Sequence, residues 1–303
     1  MNPRAYIKSI HHPTKTDPFS LFVIGDIHFG SNEFDKAAFE RDLNIVKETP
    51  SSAVIFLGDL VDAIGKSDKR FSIGKVSKLI YRAINEFVED YKQRHNGKKP
   101  SENMIEMVMV DHLIDLQINE FIEYISKWDI TDKILGVVSG NHEGTHLKYG
   151  DTDLSQRIAN ALGVEYLGYS FVYHLIFERS KTTRKKIVIY GMHGFGGGVR
   201  TYTGDKLRYI RHSEQYNAHI CVYGHTHSRW AEEIVKLDCV SRTVKPYSKW
   251  VATVGSYQKT LSLSKHPGYA EIKGYPLRPL GCMQFLIWPY QGIDDEIVIK
   301  ALY

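Results

Sequence analysis

Cysteine is scarce in this chain of 303 residues: there are three, Cys221, Cys239 and Cys282. They are odd in number, widely spaced and form no C-x-x-C pair. That excludes a disulfide framework and a zinc ribbon, and it fits a reducing compartment. No apolar run approaches the length of a membrane span, so no membrane association is expected. Met1 to His12 lacks the apolar core of a secretion signal, and a cytoplasmic location is the expectation. No repeat or low-complexity segment is visible. No G-x-S-x-G elbow exists to support a serine hydrolase. The run Gly196-Gly197-Gly198 is not followed by Gly-Lys-Ser/Thr, so it is not a nucleotide P-loop. Excess charge is small as well: the net value of +4 permits an acidic ligand such as nucleic acid without requiring one.

What is present is an ordinary soluble composition, 43% hydrophobic and 24% charged. The length allows one large or two ordinary domains. We expect a single domain over 1–303 with a helical insertion at about 64–132. Basic residues gather at Lys181, Arg184, Lys185 and Lys186, at Lys206, Arg208 and Arg211, and at Lys92, Arg94, Lys98 and Lys99. Such runs are commonly solvated faces, and phosphate-backbone contact is the sharper alternative.

Five short acid- and histidine-bearing blocks punctuate the chain. They are Asp26-Ile27-His28, Gly58-Asp59-Leu60-Val61-Asp62, Gly140-Asn141-His142-Glu143, Gly191-Met192-His193-Gly194 and Gly224-His225-Thr226-His227. Each follows a β-like run: Leu21 to Ile24, Ala53 to Leu57, Ile134 to Val138, Ile187 to Tyr190 and Ile220 to Tyr223. Loops at strand ends place their side chains along one rim of a sheet, where open α/β sheets keep their sites. Asp35 to Lys47 has helical apolar spacing, so the first two blocks with this helix read as a βαβ unit with parallel strands. Two amphipathic helices lie between the second and third blocks. One carries Val76, Leu79, Ile80, Ala83, Ile84, Phe87, Val88 and Tyr91. The other carries Ile114, Ile118, Phe121, Ile122, Ile125 and Trp128, with Ser101 as its cap. Both are expected to pack on the sheet, and Gly65 to Gly74 is left open as a lip over the site. Strand-like runs at Trp250 to Val254, Met283 to Ile287 and Ile297 to Ile299 predict an antiparallel or mixed second sheet. Ser262 to Gly281 reads as loop.

The chemistry of the blocks is that of hard and borderline metal ligands. A carboxylate and an imidazole two residues apart, Asp26 and His28, can reach one ion, and the mixture points to manganese, iron or zinc rather than calcium. Fourteen histidines make D-x-H alone a weak signal. Asp59 has two oxygens and can bridge ions roughly 3.5–4 Å apart. Asp62 is better suited to support a ligand than to be one. Asn141 can offer only its carbonyl oxygen. His142 then faces substrate, where it can protonate a leaving oxygen. His193 stands alone before glycines that let backbone approach closely. His225 and His227, two apart, share a face if the chain is extended. His142-Glu143-Gly144-Thr145-His146 also matches H-E-x-x-H, but that motif needs a helix, and a strand precedes it here. We read the match as accidental, although His146 can still line the site. Substrate contact is assigned to His142, Arg229, Gly196 and Gly197. Tyr149, Tyr202 and Tyr209 are available for stacking on bases.

At these residues the chain resembles the calcineurin-like metallophosphoesterase superfamily, whose five signature blocks occur in order across Phe22 to Ser228. The tail, Gly255-Ser256-Tyr257 through Tyr269-Ala270-Glu271, looks like bacterial and phage members of unassigned specificity. The resemblance implies an α/β fold, a four-layer α/β/β/α sandwich of two mixed β-sheets. It implies two divalent metal ions, manganese first, with iron, zinc or nickel as alternatives. Asp26, His28 and His227 would bind one ion, Asp59 would bridge, and Asn141, His193 and His225 would bind the other. The catalytic residues would be His142 and Asp59. A hydroxide held between the ions would attack a phosphate ester, with phosphodiesterase or nuclease activity first and phosphomonoesterase second. A non-catalytic scaffold is the rival from another class, and no ligand position is missing to favour it. The oligomeric state is left open. The long 64–132 segment departs from the family spacing and bears on substrate access.

Overall fold

Strand β2 (Phe19–Ile24) is buried at every position, as is β4 (Ile134–Val138), and β3 (Ser52–Phe56) is buried at all but its first. Continuous apolar runs of this kind need cover on both faces, which is the condition of parallel strands inside an α/β protein. In the computed structural model, which describes residues 4–63, 81–144, 153–196, 202–240, 243–261, 269–272, 274–291 and 296–303, β2 and β3 pair in parallel as expected, and β4 joins β3 in parallel. Helix α1 (Lys36–Glu48) crosses between β2 and β3. It starts where the Asp35 side chain accepts from the Ala38 N–H at 3.1 Å, a cap that satisfies a donor with no partner inside the helix.

Two six-stranded mixed sheets result. One has the order β12-β11-β2-β3-β4-β5, with β5 at Tyr166–Gly168, β11 at Met283–Gln291 and β12 at Glu296–Leu302. The other has the order β1-β6-β7-β8-β10-β9. Its strands are β1 (Arg4–His11), β6 (Ser170–Glu178), β7 (Arg184–Met192), β8 (Ile220–Tyr223), β9 (Trp230–Val240) and β10 (Thr243–Thr253). The alternating burial of β6 turns Phe171, Tyr173, Leu175 and Phe177 inward. They meet Leu21, Val23, Ile55 and Leu135 of the first sheet in an apolar layer between the sheets.

Helices cover the outer faces. On the first sheet lie α1, α3 (Glu102–Ser126) and α4 (Leu154–Leu162), with Phe39, Leu43, Ile118, Phe121 and Ile158 wholly buried. On the second, α5 (Tyr202–Ser213) sets Tyr209 against Tyr223. The layers are therefore α/β/β/α.

Three expectations change. The late strands do not form one sheet: β10 pairs with β8 in the second, while β11 and β12 extend the first beside β2. Sequential runs without helices can still join different sheets when each edge needs cover. Of the two helices expected between the second and third blocks, α3, capped by Ser101, packs on the sheet, and among the described residues the other does not. The described part of α2 (Tyr81–Arg94) places Ile84 and Val88 against Ile105, Leu113 and Leu116 of α3, in a separate cluster. Tyr209 is core and not a platform for bases. Its hydroxyl donates to the Gly224 carbonyl at 3.2 Å. The Gly65 to Gly74 lip, Val76, Leu79, Ile80, His146, Tyr149 and Gly197 lie outside the described residues, and nothing is described of the Tyr202 side chain.

Candidate metal centre

The loops after β2, β3 and β4 of one sheet and after β7 and β8 of the other open on a common rim. Backbone hydrogen bonds tie them side by side. Asp26 N–H donates to the Gly58 carbonyl at 3.0 Å, His28 N–H to Asp59 at 3.0 Å, and Gly224 N–H to His193 at 2.6 Å. The Asp26 carboxylate joins the two sheets by accepting from the His225 N–H at 2.9 and 3.0 Å.

Side chains converge as three overlapping groups: Asp26, His28 and His227; His28, Asp59 and His142; Asp59, His193 and His225. On one side, His28 Nε2 lies 3.2 Å from His227 Nε2, and His227 Nε2 lies 3.4 Å from Asp26 Oδ1. On the other, Asn141 Oδ1 lies 2.9 Å from His193 Nε2 and 2.6 Å from His225 Nδ1. Asp59 stands between the sides. Its Oδ2 is 3.2 Å from His193 Nε2 and 3.9 Å from His28 Nε2.

Tautomers decide what this arrangement wants. His193 Nδ1 faces the Leu57 carbonyl at 2.8 Å, and His225 Nε2 faces the Gly196 carbonyl at 2.5 Å. A carbonyl only accepts, so both of these nitrogens carry the proton. The nitrogens turned to Asn141 Oδ1 are then lone pairs in the neutral rings. Lone pairs of two imidazoles, an amide oxygen and a carboxylate repel one another unless a cation sits among them, so the donor set fits a metal ion. The electrostatics show the negative charge that a cation would meet. Burial alone would lower the His193 imidazole, but Asp59 and Asp26 together hold it up at about 10. Burial, reinforced by Asp59, lifts Asp26 to about 7. Asp59 itself is held well below the usual carboxylate range, because His193 and His142 outweigh its burial.

The backbone is bent to make this possible. Asp26, His28, Asp59, His225 and His227 all have positive φ, between 48° and 71°. Non-glycine residues rarely adopt that conformation, and clusters of them mark functional sites. This also corrects the extended-chain argument for His225 and His227. Both lie in left-handed loop conformation, and they serve opposite sides of the centre.

The family model described as calcineurin-like phosphoesterase matches residues 19–229. The chain belongs to that family. It is accordingly a metal-dependent phosphoesterase, a hydrolase of phosphate esters. Solved structures similar to this calcineurin-like phosphoesterase include YfkN from Bacillus subtilis, at 9% identity over 94% of this chain and 91% of that one, with TM-score 0.41. A metallophosphoesterase from Sphaerobacter thermophilus matches at 10% identity over 94% and 89%, with TM-score 0.35. Zinc-complexed Vps29 from Entamoeba histolytica matches at 13% over 94% and 98%, with TM-score 0.36. No curated protein matches the chain.

Two assigned contacts of the phosphoesterase lie differently from expectation. Arg229 turns away from the cluster: its Nη1 donates to the Cys282 carbonyl at 3.4 Å and lies against Gly281. Gly196 acts through its carbonyl, which fixes His225, and its φ is +90°. Asp62 takes the supporting place, with Oδ1 3.6 Å from His28 Nδ1. His142 is bound at both ends: its N–H donates to Asp59 Oδ1 at 2.9 Å and its Nδ1 to the Asp62 carbonyl at 2.6 Å.

Glu143 was missed. Residues 141–144 are helical although a strand precedes them, yet Glu143 points inward, wholly buried. It accepts from the N–H groups of Asp59, Leu60 and Val61 at 3.1, 2.6 and 3.3 Å and so fixes the loop that carries Asp59. A carboxylate spent on three backbone donors is not a metalloprotease base. The close approach needs Gly140, where a Cβ would collide with Asp59 N, Asp59 Oδ1 and Glu143 Oε2. The signal was the Gly-Asn-His-Glu string itself, set aside with the H-E-x-x-H match.

Proposed function

We propose that the protein is a two-ion phosphodiesterase, with nucleic acid among its substrates and manganese as its first metal. We also propose that residues 1–303 form one domain into which 64–132 is inserted. The observation that carries the two-ion reading is the position of Asp59, one carboxylate facing two separate sets of candidate donors.

Divalent ions here would supply Lewis-acid charge and lower the pKa of a water between them. The chain's own residues do the rest. Asp26, His28 and His227 would hold one ion, Asn141, His193 and His225 the other, and Asp59 would serve both. His142, with Nδ1 committed to the Asp62 carbonyl, transfers protons at Nε2, and the leaving oxygen takes its proton there. His225 and His142 place partial positive charge beside the equatorial oxygens of the phosphate.

Support for a diester comes from Tyr169. The residue is 46% exposed, and its hydroxyl is fixed on the Gly194 carbonyl next to His193, which suits stacking against a base or aryl group. The basic clusters contribute less than their sequence promised. Lys206 pairs with Glu232, Arg184 with Glu178, Lys92 with Glu89 and Arg94 with Asp90. The test compares turnover of a bis-aryl with a mono-aryl phosphate, manganese added and metal content measured in the same sample. Faster diester turnover is expected. Equal or faster monoester turnover makes the protein a phosphomonoesterase.

A further inference from the structure

Two hydrogen bonds meet on one peptide group at the edge of the site. The Asp62 carbonyl accepts from His142 Nδ1 at 2.6 Å. The Ala63 N–H, the other end of that peptide, donates to Gln117 Oε1 at 2.9 Å. Gln117 belongs to α3, within the segment that sets this chain apart from its family's usual spacing. It is a polar side chain only 1% exposed, beside Ile118 and Phe121 on the face that packs on the sheet. A buried amide must be satisfied, and here its acceptor is spent on a backbone donor. Two further features show that the contact is built. Gly30 makes room for the amide: a Cβ there would stand 2.7 Å from Gln117 Nε2. Ala63 has φ +48°, a conformation alanine does not keep unless its surroundings hold it.

We propose that Gln117 is a positioning residue for His142, acting through the Asp62–Ala63 peptide. The inference rests on the reading of His142 as the group that protonates the leaving oxygen. A peptide whose N–H is hydrogen-bonded is a stronger acceptor at its carbonyl, and its plane cannot turn without breaking both bonds. Gln117 therefore fixes the plane of the peptide, the peptide fixes the Nδ1 proton of His142, and the ring is left oriented with Nε2 as its reactive nitrogen. The insertion helix is thereby part of the proton-transfer apparatus, besides covering the sheet.

Gln117→Met keeps size and loses the acceptor. In the manganese-loaded full chain, hydrolysis of bis(4-nitrophenyl) phosphate is expected to stay within about threefold of the parent, because nitrophenolate departs without a proton. Hydrolysis of a dinucleotide, whose alkoxide needs one, is expected to lose roughly tenfold in kcat with KM unchanged, a part of what general acid catalysis provides. The same substitution in a His142→Ala background should add nothing. Gln117→Glu keeps an acceptor oxygen and should restore dinucleotide turnover. A readout independent of turnover is nitrogen NMR of the zinc-loaded protein. The His142 Nδ1 proton should exchange with water at least tenfold faster in Gln117→Met and stay protected in Gln117→Glu. Equal loss on both substrates, a loss that persists without His142, or an unchanged Nδ1 proton overturns the role of Gln117. Dinucleotide turnover unaffected by His142→Ala, with the NMR result as expected, overturns the acid assignment alone and leaves the positioning intact.

Discussion

The two sides of the candidate metal centre are held by different means. On the His193 side, the second nitrogen of each imidazole is fixed by main chain, His193 by the Leu57 carbonyl and His225 by that of Gly196. On the His28 side, the second nitrogen of His28 looks toward a side chain, Asp62, at 3.6 Å. His227 is 30% exposed at its side chain, whereas His193 is wholly buried. The Leu57 carbonyl, at the end of a core strand, cannot rotate away, and a loop carboxylate can. The main-chain side is therefore the more rigidly held set of donors.

Gly140→Ala should erase the comparison. The added Cβ collides with Asp59 and Glu143 at once, and both sides lose their shared carboxylate. We expect activity to vanish and stability to fall by about 3 kcal/mol or more, read from urea unfolding. Asp59→Asn should leave the fold intact and still cost both sides, with turnover down on the order of 10³-fold and less metal bound. Asp62→Asn distinguishes the sides. Affinity for one ion should fall about 10–100-fold while the other is unaffected, as seen by titration calorimetry. Equal weakening of both ions would contradict the asymmetry.

The smallest effect lies away from both sides and guards against misreading acid loss of metal as unfolding. His219 Nδ1 accepts from the Val188 N–H at 3.1 Å, and burial lowers its pKa to about 4. A group that stays neutral in the fold but protonates near 6.5 when unfolded stabilises the fold above that value. The contribution is lost as pH falls from 6.5 towards 4, about 1–3 kcal/mol in all. Unfolding measured with chelator present should show this loss, and His219→Gln should flatten it.

Much of this was legible in sequence because the candidate ligands follow short apolar runs, so strand ends and chemistry coincide. The strand β9 was not legible. Charged residues at Glu232, Glu233, Lys236 and Asp238 interrupt it, and Val235 and Leu237 are exposed, so no alternation marks the face on which Trp230 and Ile234 pack. Tyr209 failed as a base platform because a tyrosine beside basic residues reads alike whether its ring faces solvent or stacks on Tyr223. Gln117 left one mark, an amide within the apolar stripe between Ile114 and Ile118, and only the fold shows which peptide it meets. Glu143 was hidden by its overlap with a motif of another chemistry.

Left-handed backbone at Asp26, His28, Asp59, His225 and His227 has a consequence for engineering. Each costs about 1 kcal/mol relative to glycine in the same place. Asp26→Gly and His227→Gly should therefore give more stable but metal-free proteins than the corresponding alanine variants. The ligand set is not portable. Grafted onto relaxed loops, the same residues would aim elsewhere, because their geometry is maintained by two sheets pressing five reluctant residues into one rim.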